Sequence, residues 1–213
     1  MTTTILLIRH GETAWNRGKI FRGVYDIPLN ENGRSQAGYA ARVLASRPLE
    51  AAYSSPLSRA METARIVLEP HNIEPIVHAG LKDCNYGQWT GLEEAEVARR
   101  WPQEHARWGT APHTARPPDG DTLQEVFDRA FDALEGIARQ HDGQTVAVFA
   151  HRVVNKLLVL GMLTLGLERF PFLRQDNCCV NEFQRTEQGY IAVTINDTSH
   201  LRQAGVDLLN ADF

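Results

Sequence analysis

Three places in the 213-residue chain put residues able to handle an anion directly after short apolar runs. Ile5-Leu6-Leu7-Ile8 runs into Arg9-His10-Gly11-Glu12-Thr13, Val146-Ala147-Val148-Phe149-Ala150 into His151-Arg152, and Ala51-Ala52-Tyr53 into Ser54-Ser55-Pro56-Leu57-Ser58-Arg59. If the runs are neighbouring strands, two imidazoles and two guanidiniums converge beyond their ends, where open α/β sheets bind ligands. Such a set suits a phosphate dianion. Guanidinium groups grip its oxygens in a forked geometry, helix N-termini add N–H donors, and Gly11 is expected to let the backbone approach the anion closely. The chemistry expected from the pattern is the binding of a phosphate group. Singly, each of these residues is as compatible with a structural duty; the convergence carries the reading.

The elements that must position them follow from pattern. The runs at 5–8 and 146–150 are continuously apolar and end in polar residues, as buried strands of a parallel sheet do. Asn30-Glu31-Asn32-Gly33 precedes a helical stripe through Ala37, Ala40, Ala41 and Leu44 that stops at Ser46-Arg47-Pro48. Ser54-Ser55-Pro56 reads as an N-cap with proline in the first turn, opening a helix with Leu57, Ala60, Met61, Ala64 and Val67 on one face. Thr122 and Glu125 match a capping box before Leu123, Val126, Phe127, Ala130, Phe131, Leu134 and Ile137. Cys179 to Phe183 and Ile191 to Ile195 read as strands joined through Gln188-Gly189. The order predicts an α/β fold in three layers, a mainly parallel central sheet with helices on both faces. The stretch 86–119, with Trp89, Trp101 and Trp108 and weaker periodicity, reads as an inserted cap within a single domain spanning 1–213.

Composition narrows the function classes. Apolar residues at 43% and charged residues at 23% are ordinary for a globular protein. A formal net charge of −4 with no Lys/Arg run argues against nucleic acid as a partner. No stretch approaches a membrane span, the first residues lack a basic n-region, and Cys84, Cys178 and Cys179 show no paired zinc spacing, so reduced thiols and a cytoplasmic location are expected. Of the eight histidines, no pair has helical zinc spacing with a nearby carboxylate. No metal and no cofactor are expected.

Leu7-Ile8-Arg9-His10-Gly11-Glu12-Thr13 with Trp15-Asn16 resembles the signature of the histidine phosphatase superfamily, also called phosphoglycerate mutase-like. The likeness continues through Gly23, Asp26, Pro28-Leu29, Gly33 and Gln36-Ala37, through Tyr53-Ser54-Ser55-Pro56-Leu57 with Arg59-Ala60 and Thr63-Ala64, and through Leu81, Asp83 and Tyr86-Gly87-Gln88-Trp89 with Gly91. Pro118-Asp119-Gly120-Asp121-Thr122 and His151 match later blocks. The resemblance implies that His10 is the nucleophile, that Arg9, Arg59 and His151 bind the phosphoryl oxygens with help from Asn16, and that Asp83 is the acid. It stands where the family usually has a glutamate that protonates the leaving oxygen. Such an acid must be kept protonated by burial and a neighbouring phosphate, so activity is expected to favour acidic pH. Arg22 stands where many relatives have glutamine and Arg152 where small residues are common; both, with Gly23 and Tyr86, are candidates for touching substrate.

The activity so implied is metal-independent hydrolysis of a small phosphorylated metabolite, such as a sugar phosphate, a phosphoglycerate-type acid or phosphoserine, through a phosphohistidine. A mutase that returns the phosphate to another hydroxyl is the alternative. Mutases of this family carry a longer basic insertion after the acid block, whereas Glu93, Glu94 and Glu96 follow Gly91 here. A noncatalytic phospholigand-binding domain is the remaining class, expected only if one of the phosphate-handling residues were missing. Arg107-Trp108, Pro112-His113, Asp176-Asn177 and Asn196-Asp197-Thr198-Ser199-His200-Leu201 are similar to bacterial metal-independent phosphoserine phosphatases of the superfamily, which have a histidine where Tyr86 stands. Monomer and homodimer are both compatible with the chain.

Overall fold

A computed structural model describes residues 2–206. Six strands, β1 (Thr3–Arg9), β2 (Ala51–Ser54), β3 (Ile76–Val77), β4 (Thr145–Ala150), β5 (Val180–Thr186) and β6 (Gly189–Asp197), form one sheet in the order β3-β2-β4-β1-β5-β6. The first four in that row are parallel; β5 and β6 add antiparallel to one edge. The sheet is therefore mainly parallel, as expected, with β3 as an additional two-residue strand. Those two residues, Ile76 and Val77, are exposed and too few to show a period.

Period-two alternation makes the three layers. Ile5, Leu7, Val146 and Val148 point to one face, Leu6, Ile8, Ala147 and Phe149 to the other, and every one is fully buried. Helices α1 (Ala14–Arg17), α2 (Glu31–Leu44), α3 (Ser58–Leu68), α4 (Glu94–Arg100), α5 (Pro102–Thr110), α6 (Leu123–Gln140), α7 (Arg152–Met162) and α8 (Ser199–Gln203) complete the fold. Leu134, Ile137, Val154 and Leu157 of α6 and α7 cover the first face; Ala37, Ala40, Ala64, Val67 and Leu201 of α2, α3 and α8 cover the second. The predicted box caps α6: Thr122 Oγ1 accepts from Glu125 N and Glu125 Oε2 accepts from Thr122 N.

One expected boundary is corrected. Helix α3 begins at Ser58 with Leu57 at the cap, not at Ser54 or Ser55. Ser55 follows β2 directly, with its N–H still donating to Phe149 O in the adjoining strand, and its hydroxyl is taken up by His151. In 86–119 the chain folds into α4, α5 and two 3-10 turns. Trp89 and Trp108 are buried edge to face against each other and join the core that contains Ile5 and Leu7, so these tryptophans pack.

Candidate active site

Strands β1, β4 and β2 are neighbours, so their carboxyl ends lie side by side. His10 N donates to Ala150 O at 3.1 Å and Ser55 N to Phe149 O at 3.0 Å, which brings the residues after all three strands level. The His10 and His151 rings come to 5.2 Å between centroids. Arg9 and Arg59, far apart in sequence, are both fully buried beside them.

His10 has a defined tautomer. Its Nδ1 lies 2.7 Å from Gly11 O, an atom that only accepts, so Nδ1 carries the proton and Nε2 keeps its lone pair. Burial drives the His10 pKa well below the usual histidine range, and the charges of Arg59, Arg9 and Arg22 add to this against the Gly11 bond. His151 is pushed down in the same way, by burial first, then Arg59, His10 and Arg9. Both imidazoles are thus neutral bases in a cationic surrounding. The His151 Nε2 meets Ser55 Oγ at 2.7 Å, and its Nδ1 faces Asp83 Oδ2 at 3.6 Å.

Arg59 is held by three acceptors. Nη2 donates to Gly23 O at 2.8 Å and to Asp83 Oδ2 at 3.0 Å, and Nη1 to Tyr25 O at 2.9 Å, while the buried Nε has no hydrogen-bond partner among the described residues. Gly23 presents its carbonyl from a left-handed conformation, φ +51°, in which a Cβ would come within 2.7 Å of Cys84 O. Asp83 is only 7% exposed, and its second oxygen accepts from Cys84 N at 2.9 Å. Arg9 Nη1 donates to Gln175 O at 2.6 Å.

His10 and Asp83 border a cleft of about 360 Å³ counted with its open mouth, and His151 lies behind them, its ring 5.2 Å from that of His10. His10 and Asp83 lie in its lining with Arg22, Gly23, Tyr86 and Arg152, and Ile20, Phe21 and Val153 supply the apolar part. Arg22, Gly23, Tyr86 and Arg152, the four residues expected to touch substrate, all line this cleft. Asn16 is buried nearby, with Oδ1 accepting from the Thr13 N–H and hydroxyl, so it shapes the turn after the β1 end. Gly11 also packs closely on the start of α2, where a Cβ would lie 2.4 Å from Gly33 O. Sequence reasoning missed Ser55 as the partner of His151, Gln175 as that of Arg9, and Asn177, whose Nδ2 donates to His10 O at 3.0 Å. Gln175 acts through a backbone carbonyl, which no residue-type pattern reports. Among the described residues, no group of three His, Cys, Asp or Glu side chains is placed to hold a metal ion.

Comparison with known proteins agrees with this geometry. The model of the histidine phosphatase superfamily (branch 1) matches residues 5–198. Phosphoserine phosphatase 1 of Hydrogenobacter thermophilus is 30% identical over 203 residues, 95% of this chain and 96% of that protein. A 2,3-bisphosphoglycerate-dependent phosphoglycerate mutase of Bartonella tribocorum is 33% identical over 183 residues, 83% of this chain and 88% of that one. Among solved structures, Bacillus stearothermophilus YhfR superposes with a TM-score of 0.90 at 30% identity, over 93% of this chain and 99% of that chain. With that match over residues 5–198 and relatives of this identity and coverage, the chain belongs to the histidine phosphatase superfamily, branch 1.

Proposed function

We propose that the cleft hydrolyses small phosphomonoesters through a phosphohistidine on His10, and that the observation carrying this is the 2.7 Å bond of His10 Nδ1 to Gly11 O, which leaves the Nε2 lone pair for phosphorus. Nε2 attacks phosphorus as the ester P–O bond breaks. Arg9, Arg59 and His151 hold the equatorial oxygens, and Asp83 gives its proton to the leaving oxygen. Water then attacks the phosphohistidine, Asp83 takes a proton back, and phosphate leaves with His10 restored. Arg22 and Arg152 bring further positive charge to the cleft, which fits a substrate with a second anion such as the carboxylate of phosphoserine or phosphoglycerate. The segment 86–119 serves as a cap that closes one side through Tyr86. Asn16 supports the phosphoryl pocket by fixing the turn after β1. A small phosphorylated metabolite is the partner, and the cytoplasm the location; no helix of the described residues is long and apolar enough to cross a membrane.

Hydrolysis is favoured over phosphate transfer to a second hydroxyl. Arg99 and Arg100, the basic pair nearest the acid block, are tied to Glu96 at the surface and are not in the cleft lining. The test is a panel of phosphoserine, 3-phosphoglycerate, glycerol 3-phosphate, glucose 6-phosphate and p-nitrophenyl phosphate, in chelator and without any added bisphosphate. Release of inorganic phosphate by the wild type, its loss in His10→Ala, and an acid-labile, base-stable phosphoenzyme are the expected results. Equal turnover by His10→Ala refutes the nucleophile.

A further inference from the structure

Asp83 stands on a strap with little regular structure of its own, a 3-10 turn at Ala79–Leu81 followed by extended chain. Helix α6 grips that strap through one side chain. Arg129 donates from Nη1 to Gly80 O at 2.8 Å and Lys82 O at 2.5 Å, and from Nη2 to Asp83 O at 2.8 Å. A planar guanidinium thereby fixes three carbonyls within four residues, a task its rigid fork suits and a lysine ammonium does not. The far end is held from the residues before α6: Asn85 N donates to Asp121 Oδ2 at 2.9 Å, and Asp121 N to Asn85 O at 2.8 Å. Gly80 presses so closely on the helix that a Cβ would lie 2.7 Å from Ala133 Cβ. Arg129 itself is not in the cleft lining.

An aspartate has a short reach, so its carboxyl goes where its backbone is put. We propose that Arg129 is a positioning residue for the acid: by clamping the carbonyls of Gly80, Lys82 and Asp83 it sets Asp83 against Arg59 and the His10 side of the cleft, where the ester oxygen departs. The proposal rests on reading Asp83 as the acid. In that step the His10 Nε2–P bond forms, the P–O ester bond breaks, and the ester oxygen takes the Asp83 proton. An alkoxide needs that proton; p-nitrophenolate leaves without one.

The experiment compares kcat/KM, which covers the steps up to departure of the leaving group, for p-nitrophenyl phosphate and for the alkyl ester the wild type turns over best in the panel. Asp83→Asn sets the scale by losing activity on the alkyl ester far more than on the aryl ester. Arg129→Met is expected to lose roughly 10- to 100-fold on the alkyl ester and less than about 3-fold on the aryl ester. Arg129→Lys, the milder change should Arg129→Met not fold, shows a smaller loss with the same asymmetry. Asp83→Glu combined with Arg129→Met recovers part of the alkyl-ester rate, because a longer carboxyl reaches from a displaced strap. Equal losses on both esters, or none, in the folded Arg129 variants overturn the positioning role while Asp83→Asn keeps its asymmetry. Without that asymmetry in Asp83→Asn, the acid assignment falls and the Arg129 proposal with it, whereas phosphohistidine formation stands on its own test.

Discussion

His10 and His151 are kept uncharged by burial and by the arginines around them, and that choice links the site to stability. In the unfolded chain each histidine regains a pKa near ~6.5. The folded values lie well below it, so between the two the unfolded state binds protons that the folded state refuses. The sign follows: stability is full above about pH 6.5 and falls as the pH drops beneath it, by up to about 1.4 kcal/mol per pH unit for each histidine. Urea midpoints measured in steps from neutral to acidic pH should decline, and His151→Asn should flatten the decline. A midpoint of wild type that stays level across that window would contradict neutral burial of the pair. At this scale the sequence was readable where a reactive side chain follows an apolar run, as with His10, His151 and Arg59. It was silent on Ser55, whose place after a strand and before a proline reads equally well as a helix cap, and on Asn177, which serves the carbonyl of His10.

Helix α6 was legible because its capping box and its apolar face agree, and it does two jobs: it covers the sheet with Leu134 and Ile137 and carries Arg129 to the strap that holds Asp83. Thr122→Ala removes the side chain that accepts Glu125 N, so it should cost about 1 kcal/mol, read as a lowered urea midpoint. A loss of stability within error would mean that the reciprocal Glu125 bond suffices. The short elements were harder to read for a physical reason. Strand β3 spans a single period of its pattern and helix α1 barely more than one, too little for a repeat to show in the sequence. The start of α3 lies at Ser58, several residues beyond the expected cap, and Ser55 Oγ both meets His151 Nε2 and accepts from Leu57 N before the helix begins. The segment 86–119 gave weak periodicity because its aromatics Trp89 and Trp108 pack into the main core from a 3-10 turn and from a nine-residue helix.

For the whole molecule, charge is distributed against its average. The chain carries a net charge of −4, yet four guanidiniums, Arg9, Arg22, Arg59 and Arg152, stand in or beneath one cleft whose lining holds the Asp83 carboxyl. Buried Arg9 and Arg59 are shielded from salt, whereas charges at the mouth feel it, since screening acts over about 10 Å at 0.1 M ionic strength. Salt should therefore weaken capture of a phosphate dianion more than its conversion. Between about 0.02 M and 0.3 M sodium chloride, KM for the best alkyl ester is expected to rise several-fold while kcat moves little. Arg22→Gln should make that rise shallower, because part of the screened attraction is already gone and the buried pair still binds the phosphoryl group. A KM that ignores salt in the wild type, or a variant that keeps the full salt dependence, would place Arg22 outside the attraction and leave the anion to the buried arginines alone.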